Sequence, residues 1–339
     1  MTAGTEPAAR PLVARTVLDL RPAVDKFVSQ TLLLAAGWHR YARDDAALEV
    51  ATVGGRAAVV DAMLAEIGAG GYAIAPGRND DFSPSSNKIE AAHPDPGGAR
   101  VLLLDNDVVF LGPVSDLAGL PADAIVAAEA GTARVEDPQW EVIERELGLP
   151  LLRRRWAPLN ARDGDVVRAP RSQAPLRYLY LNSGVVLFPA GHDHRAPWTS
   201  HQRRIRDHFA AQSPAPVPVT SSDQAGLASS VAAHGRFAWL PLGFNYRHGA
   251  FRLGLLPAER IAIMHFTGDV PAAGLTLTER LDAYWGRYIT PKIARLPASV
   301  GAAEKRRRRD IAANVLATLQ ALVRDYDLDA RLAAWRRAR

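Results

Sequence analysis

A doubly wound α/β fold is predicted by three features of this 339-residue chain. Short apolar runs alternate with amphipathic stretches of helical length through about residue 130. Glycines stop the helical stretches. The run "RVLLLDNDVVF" is apolar on both faces, as a central parallel strand is. In such sheets ligands bind beyond the carboxyl ends of the strands.

Residues 1–12 read as a flexible tail. "VARTVLDL" alternates like a strand, and "AVDKFVSQTLLLAAGWHRYA" has helical spacing. "LEVATVGG" is a strand closed by Gly54-Gly55, "RAAVVDAMLAEIGAGG" a helix with a glycine stop, and "YAIAP" a short strand. "SPSSNKIEAAH" opens with capping residues and reads as a helix. "LLRRRWAPLNARDGDVVRAPRSQAPLR" is rich in Arg and Pro. It reads as a long loop, of the kind that serves as a lid or binds an anionic acceptor. "YLYLNSGVVLF" returns to strand, "WTSHQRRIRDHFAAQ" and "SSDQAGLASSVAAHG" are helices, and "FAWLPLGFNYR" and "IAIMHFTG" are strands. The tail carries an apolar stripe of Ile311, Val315, Leu319, Leu322 and Val323 on one or two helices. That stripe can pack on the domain, on a second copy in a homodimer, or on an anionic membrane surface as a peripheral contact. Arg306 to Arg309 are expected in solvent. The division expected is therefore a tail over 1–12, one domain over 13–295, and a basic helical extension over 296–339.

Composition narrows the function. The chain is 48% hydrophobic and 23% charged, as in soluble globular proteins. It has no cysteine, which excludes disulfides, thiolate metal sites and cysteine nucleophiles. No secretory signal and no apolar run of roughly 18 residues is visible, so a soluble, cytoplasmic protein is expected. The net charge of +5 is mild and no nucleic-acid motif accompanies it, so nucleic acid is not an expected partner. Lysine occurs only at 26, 88, 292 and 305, and the excess of Ala and Arg points to a GC-rich, bacterial genome.

The chemistry centres on "VLLLDNDVVF". Buried unpaired carboxylates are costly, so Asp105 and Asp107 imply a cation or a reactive phosphate, or else an exposed strand end without a role. Acids at i and i+2 point to opposite faces of a regular strand. They meet one ion only if the strand bends there.

In order, "VLLLDNDVVFLGPVSDL", "YLNSGVVLF", "SSDQAGL" and "LPLGFNYR…IAIMHFTG" carry a pattern. It resembles the family 8 glycosyltransferases, the retaining enzymes of the glycogenin and lipopolysaccharide galactosyltransferase type, over roughly residues 15 to 270. The resemblance implies a GT-A fold with a mixed central sheet and a C-terminal helical extension. It also implies metal-dependent transfer of a hexose from a UDP-sugar to an unidentified acceptor hydroxyl. Asp107 would ligate Mn²⁺ (or Mg²⁺), Asp105 would touch metal and ribose, and His265 would add an imidazole that suits Mn²⁺. Lys88, Asp105, Asn106, Asp107 and Gly268 would hold the donor, and Asn182, Asp223 and Gln224 would serve the reacting sugar. Asn245 matches a structural asparagine. Each has a plainer alternative: a core histidine for His265, an N-cap for Asp223, a bulge residue for Asn182 and a solvated helix lysine for Lys88. The family's lysine after the histidine is missing in "HFTGDVPAAG", and Arg247 or Arg252 are the cations that could replace it. The pair His192 and His194 is a weak metal signal and is set aside.

Two other functions fit parts of the sequence. A haloacid dehalogenase-type phosphatase would use Asp105 as nucleophile and Asp107 as acid/base. That motif opens its domain, whereas about 100 residues precede it here. A catalytically silent sugar-nucleotide-binding protein is the other.

Overall fold

A computed structural model describes residues 12–21, 24–75, 84–130, 135–156, 174–212, 223–254, 256–267, 274–296 and 298–338. In chain order the regular elements are β1 (Leu12–Asp19), α1 (Val24–Tyr41), β2 (Ala46–Val53), α2 (Ala58–Ile67), β3 (Gly70–Ala73), β4 (Arg100–Leu104), β5 (Val108–Phe110), β6 (Ile125–Glu129), α3 (Asp137–Leu147), β7 (Arg153–Arg155) and β8 (Leu176–Tyr178). They continue with β9 (Leu181–Phe188), α4 (Arg195–Gln212), α5 (Asp223–His234), β10 (Phe237–Trp239), β11 (Tyr246–Arg247), α6 (His248–Leu253), β12 (Ile263–His265), α7 (Leu277–Tyr284), α8 (Thr290–Ala294), α9 (Ala302–Asp325) and α10 (Leu328–Arg337).

The fold is α/β, as expected, around a seven-stranded sheet in the order β10-β6-β9-β4-β1-β2-β3. Every neighbouring pair is parallel except those of β9, which runs antiparallel to both β4 and β6. The sheet is therefore mixed. Side chains of β4 alternate between two cores. Leu102 and Leu104 face a cluster that includes Leu32, Leu33 and Trp38 of α1. Val101 and Leu103 face Trp198 of α4 and Leu227 and Val231 of α5. This two-sided burial is what made β4 read as a continuous apolar run.

"RVLLLDNDVVF" is not one strand. The chain leaves the large sheet after Leu104, turns through residues 105–107, and enters a second sheet of order β11-β12-β5. Helix α1 crosses β5 so closely that a Cβ on Gly37 would lie 2.6 Å from the Phe110 carbonyl oxygen. The absent side chain at residue 37 permits this approach.

Three other expectations change. "SPSSNKIEAAH" forms a 3-10 helix over Pro84–Ala91 and not an α-helix. The tighter coil, three residues per turn, places the successive residues Asn87, Lys88 and Ile89 in the interior. The Arg/Pro-rich stretch is not all loop, because β7 and β8 pair as an antiparallel ribbon. Residues 157–173 between them lie outside the described residues. β6 and α3 were not read from the sequence.

The apolar stripe Ile311, Val315, Leu319, Leu322 and Val323 is buried within the main core, in the same cluster as residues of α1 and α7. The four arginines before it are not uniformly solvated. Arg308 is buried and donates to Glu304, and Arg307 donates to the Gly254 carbonyl as well as to Glu304. The tail expected over 1–12 lies outside the described residues apart from Leu12, which opens β1.

Candidate functional site

The bend after β4 brings the two acids together. Strand β12 pairs antiparallel with β5, setting His265 opposite Val108, and the Phe266 amide donates to the Asp107 carbonyl at 2.8 Å. His265 is thereby locked beside the acid turn. Its Nε2 lies 3.2 Å from Asp107 Oδ1 and 3.9 Å from Asp105 Oδ2. One ligand atom from each of the three residues falls within 4.8 Å of the others.

The tautomer of His265 follows from a chain of hydrogen bonds anchored in backbone. The Gly184 amide can only donate, and it donates to Asn182 Oδ1 at 3.1 Å. That makes Asn182 Oδ1 the acceptor for Asn245 Nδ2 at 2.8 Å. Asn245 Oδ1 then faces His265 Nδ1 at 3.1 Å. Nδ1 donates to Asn245, and Nε2 is turned toward the acids. Asp107 Oδ1 is buried without a hydrogen-bond partner. A cation or a proton between Oδ1 and His265 Nε2, 3.2 Å apart, would satisfy both atoms. Two carboxylates and an imidazole, held by an amide behind the ring, form a donor set that could bind a divalent metal ion.

Gly184 makes room for this ring. A Cβ there would lie 2.1 Å from His265 Cε1 and under 3 Å from both ring nitrogens. The Asp105 amide also donates to the Gly184 carbonyl at 2.9 Å, so β9 and the acid turn are tied at this residue.

Lys88 closes the other side. Its Nζ lies 2.6 Å from Asp105 Oδ1, 2.7 Å from Asp223 Oδ2 and 2.9 Å from Ser183 Oγ. Burial opposes its charge, but Asp105 and Asp223 outweigh burial and hold the ammonium above the usual lysine range. Burial pushes the Asp105 carboxyl up, and neighbouring Asp107 adds to the rise against the pull of Lys88 and His265. Next to Lys88, Asn87 donates to Asp19 at 2.9 Å, and Arg21 clamps the same carboxylate. A cleft of about 160 Å³ opens here, bordered by Asp19, Phe27, Lys88, Asp105, Asn106 and Asp107.

The structure thus gathers Lys88, Asp105, Asp107, Asp223 and His265 into one cluster, with Asn182 behind the imidazole. Gln224 is half-buried at the start of α5, next to Asp223. Gly268 and the Arg252 side chain lie outside what is described. Arg247 is buried and turned to the Glu129 carbonyl. Sequence reasoning missed Asp19, Asn87 and Ser183. Asp19 carried a signal, since it closes β1 as Asp105 follows β4, and the two strands are parallel neighbours. Ser183, a hydroxyl inside an apolar strand, carried none. His192 and His194 meet His234 away from this cluster, with ring centroids 5.4 to 6.0 Å apart.

Among the described residues no helix is long and apolar enough to cross a membrane. No curated protein matches the sequence. Among solved structures, mouse xyloside xylosyltransferase 1 is similar at 15% identity and a TM-score of 0.43, over 77% of this chain and 99% of that one. The glycosyltransferase GlyE of Streptococcus pneumoniae TIGR4 is similar at 13% identity and a TM-score of 0.43, over 80% of this chain. The matched part spans 60% of GlyE's length. At the level of sequence, residues 29–235 match a family, and through that stretch, more than half of its length, the chain belongs to the Rhodobacterales glycosyltransferase domain family.

Proposed function

We propose that this glycosyltransferase moves a hexose from a UDP-sugar to an acceptor hydroxyl with retention, in the manner of the family 8 enzymes and on a GT-A-type scaffold. Asp105, Asp107 and His265 would hold Mn²⁺ or Mg²⁺, and the imidazole favours Mn²⁺. The observation that carries this reading is the convergence of Asp105, Asp107 and His265, with one ligand atom of each within 4.8 Å of the others and the imidazole fixed through Asn245 and Asn182. A bound divalent ion would supply Lewis-acid neutralisation of a diphosphate leaving group.

The remaining work falls to side chains. Asp105 would meet the ribose, and Lys88, fixed between two carboxylates, would orient Asp105 and Asp223. Asp223 would hold donor hydroxyls. Gln224, a neutral amide and a poor nucleophile, would face the anomeric carbon and stabilise an oxocarbenium-like transition state by its fixed dipole. With no carboxylate placed as a covalent nucleophile, the leaving phosphate oxygen would take the acceptor proton on the same face. Asn182 would act through His265, behind it. The transferase domain would span 13–295, with 296–339 as an extension packed on it.

The test is UDP binding and slow release of free sugar from UDP-hexoses, with and without Mn²⁺, for wild type and Asp107→Ala. Metal-dependent binding and sugar release, both lost in the variant, are expected. Phosphate release from simple esters without nucleotide binding would overturn the reading in favour of a phosphatase. Metal-dependent binding with no turnover on any acceptor would reduce the chain to a binding protein.

A further inference from the structure

The β7–β8 ribbon is electrostatically odd. Its register sets Arg153 opposite Tyr178, Arg154 opposite Arg177 and Arg155 opposite Leu176. Residues directly opposite in an antiparallel pair share a face, and like charges there are destabilising. Four of the six ribbon residues are arginines and none is acidic. Arg153 is engaged: it lies over the Tyr178 ring, 4.1 Å from its centroid, and Tyr178 donates to Glu144. The other three meet no carboxylate among the described residues. Arg154 and Arg155 donate to the Arg153 and Ala174 carbonyls, and among the described residues these bonds leave further donors on each guanidinium. All four arginines are exposed. Beside them Leu176, 60% exposed, is the one large apolar side chain in solvent among the described residues.

A groove of about 430 Å³ runs along this ribbon, a size common for small-molecule sites. Its walls include Leu176, Arg177 and Tyr178 of the ribbon and Glu136, Asp137 and Trp140 at the start of α3. Exposed Leu176 offers an apolar surface to a sugar ring, while Trp140 and Tyr178 are buried in the groove floor. Acids accept from hydroxyls, whereas they would repel a uniformly anionic lipid surface. Arg177 is five residues from Asn182, a chain span of at most about 18 Å.

We propose that this ribbon and groove bind the acceptor, and that the acceptor is a glycan bearing acidic groups, either carboxylate or sulfate. The guanidiniums of Arg154, Arg155 and Arg177 would receive those groups by charge-assisted, bidentate hydrogen bonds. This assignment rests on the transferase reading above.

The test uses the full chain and its Arg154→Ala/Arg177→Ala variant, titrated calorimetrically at low salt. The probes are oligogalacturonate, a sulfated dextran oligosaccharide and neutral dextran. Wild type is expected to bind at least one charged probe, with affinity falling as salt rises, and not neutral dextran. Which charged probe binds separates carboxylate from sulfate. The variant should lose about tenfold or more in affinity. Its melting temperature should be unchanged or higher, because two facing like charges are gone, and its Mn²⁺-dependent UDP binding should be intact. Equal binding by the variant, or binding only to phosphatidylglycerol vesicles, overturns the proposal. So does binding to none of these. Wild type that binds the charged glycan but never UDP overturns the acceptor role together with the transferase reading. UDP binding without glycan binding overturns this inference alone.

Discussion

Gly184→Ala places a methyl group where the His265 imidazole now lies, 2.1 Å from Cε1, 2.7 Å from Nδ1 and 2.8 Å from Nε2. Carbon atoms pack at about 3.5–4.0 Å, so the ring must withdraw by more than about 1 Å. The Gly184 amide and carbonyl keep their bonds to Asn182 Oδ1 and the Asp105 amide, since neither involves the added methyl group. What fails is the 3.1 Å contact of Nδ1 with Asn245 and the position of Nε2 beside Asp107. Metal–ligand distances tolerate only about 0.2 Å, so Mn²⁺ affinity should fall at least about 10- to 100-fold. Overpacking should cost about 1–3 kcal/mol of stability. Urea unfolding of wild type, G184A, H265A and the double variant separates the clash from other effects. In the His265→Ala background the methyl group has space, so the cost of Gly184→Ala should largely vanish, giving a coupling of similar size. Mn²⁺ binding is read separately by the paramagnetic resonance of free ion. A folded G184A that binds Mn²⁺ as wild type does, with no coupling to residue 265, would refute both the relay and the metal site.

Three further outcomes follow from the structure. Lys88→Met leaves Asp105 and Asp223, both largely enclosed, without their cation, and should lower stability by about 3 kcal/mol; an unchanged urea midpoint would deny that Lys88 organises the cluster. Glu304, paired with Arg307 and Arg308, is held at about 2, below its ordinary 4.5. Its contribution is therefore full above pH ~4.5 and lost as pH falls through ~2, and because the pair is partly exposed, Glu304→Gln should cost less than about 1 kcal/mol at pH 7 and progressively less as pH falls toward ~2. Burial, with His234 and His192 beside it, lowers His194 to about 4, so the unfolded chain takes that proton first between pH ~6.5 and ~4. Stability should fall across that window by up to about 1.4 kcal/mol per pH unit from this group, and His194→Leu should flatten the slope of melting temperature against pH. Buried His248, lowered to about 4 in the same way, leaves part of the slope in place.

The local elements were legible wherever periodicity and stop signals agreed. α1 and α2 carry helical spacing, and Gly68 caps α2 in the left-handed conformation expected of a glycine stop. β4 and β9, buried on both faces, announced themselves as unbroken apolar runs. Where the sequence misled, a local pattern had two structural solutions. Capping residues before "NKIEAAH" suit an α-helix or a 3-10 helix equally well, and the contacts of Asn87 with Asp19 and of Lys88 with Asp105 are made in the tighter one. The arginine ribbon could not be read as strands, because facing like charges argue against pairing.

Composition and motif alone determined that this is a cysteine-free α/β protein with an acid pair placed at the end of a buried strand. They also marked His265, Asp223, Asn182 and Lys88 as companions of that pair. Only the tertiary structure decided how these residues meet. The chain passes from one sheet to another at residues 105–107, which turns two acids toward one point, and the β5–β12 register delivers His265 from some 160 residues away. The roles of Gly184 and Asn245 belong to the same level. Hydrogen bonds and steric clearances act over about 3 Å between segments distant in the chain, so they are properties of the packed fold that no local run of residues encodes.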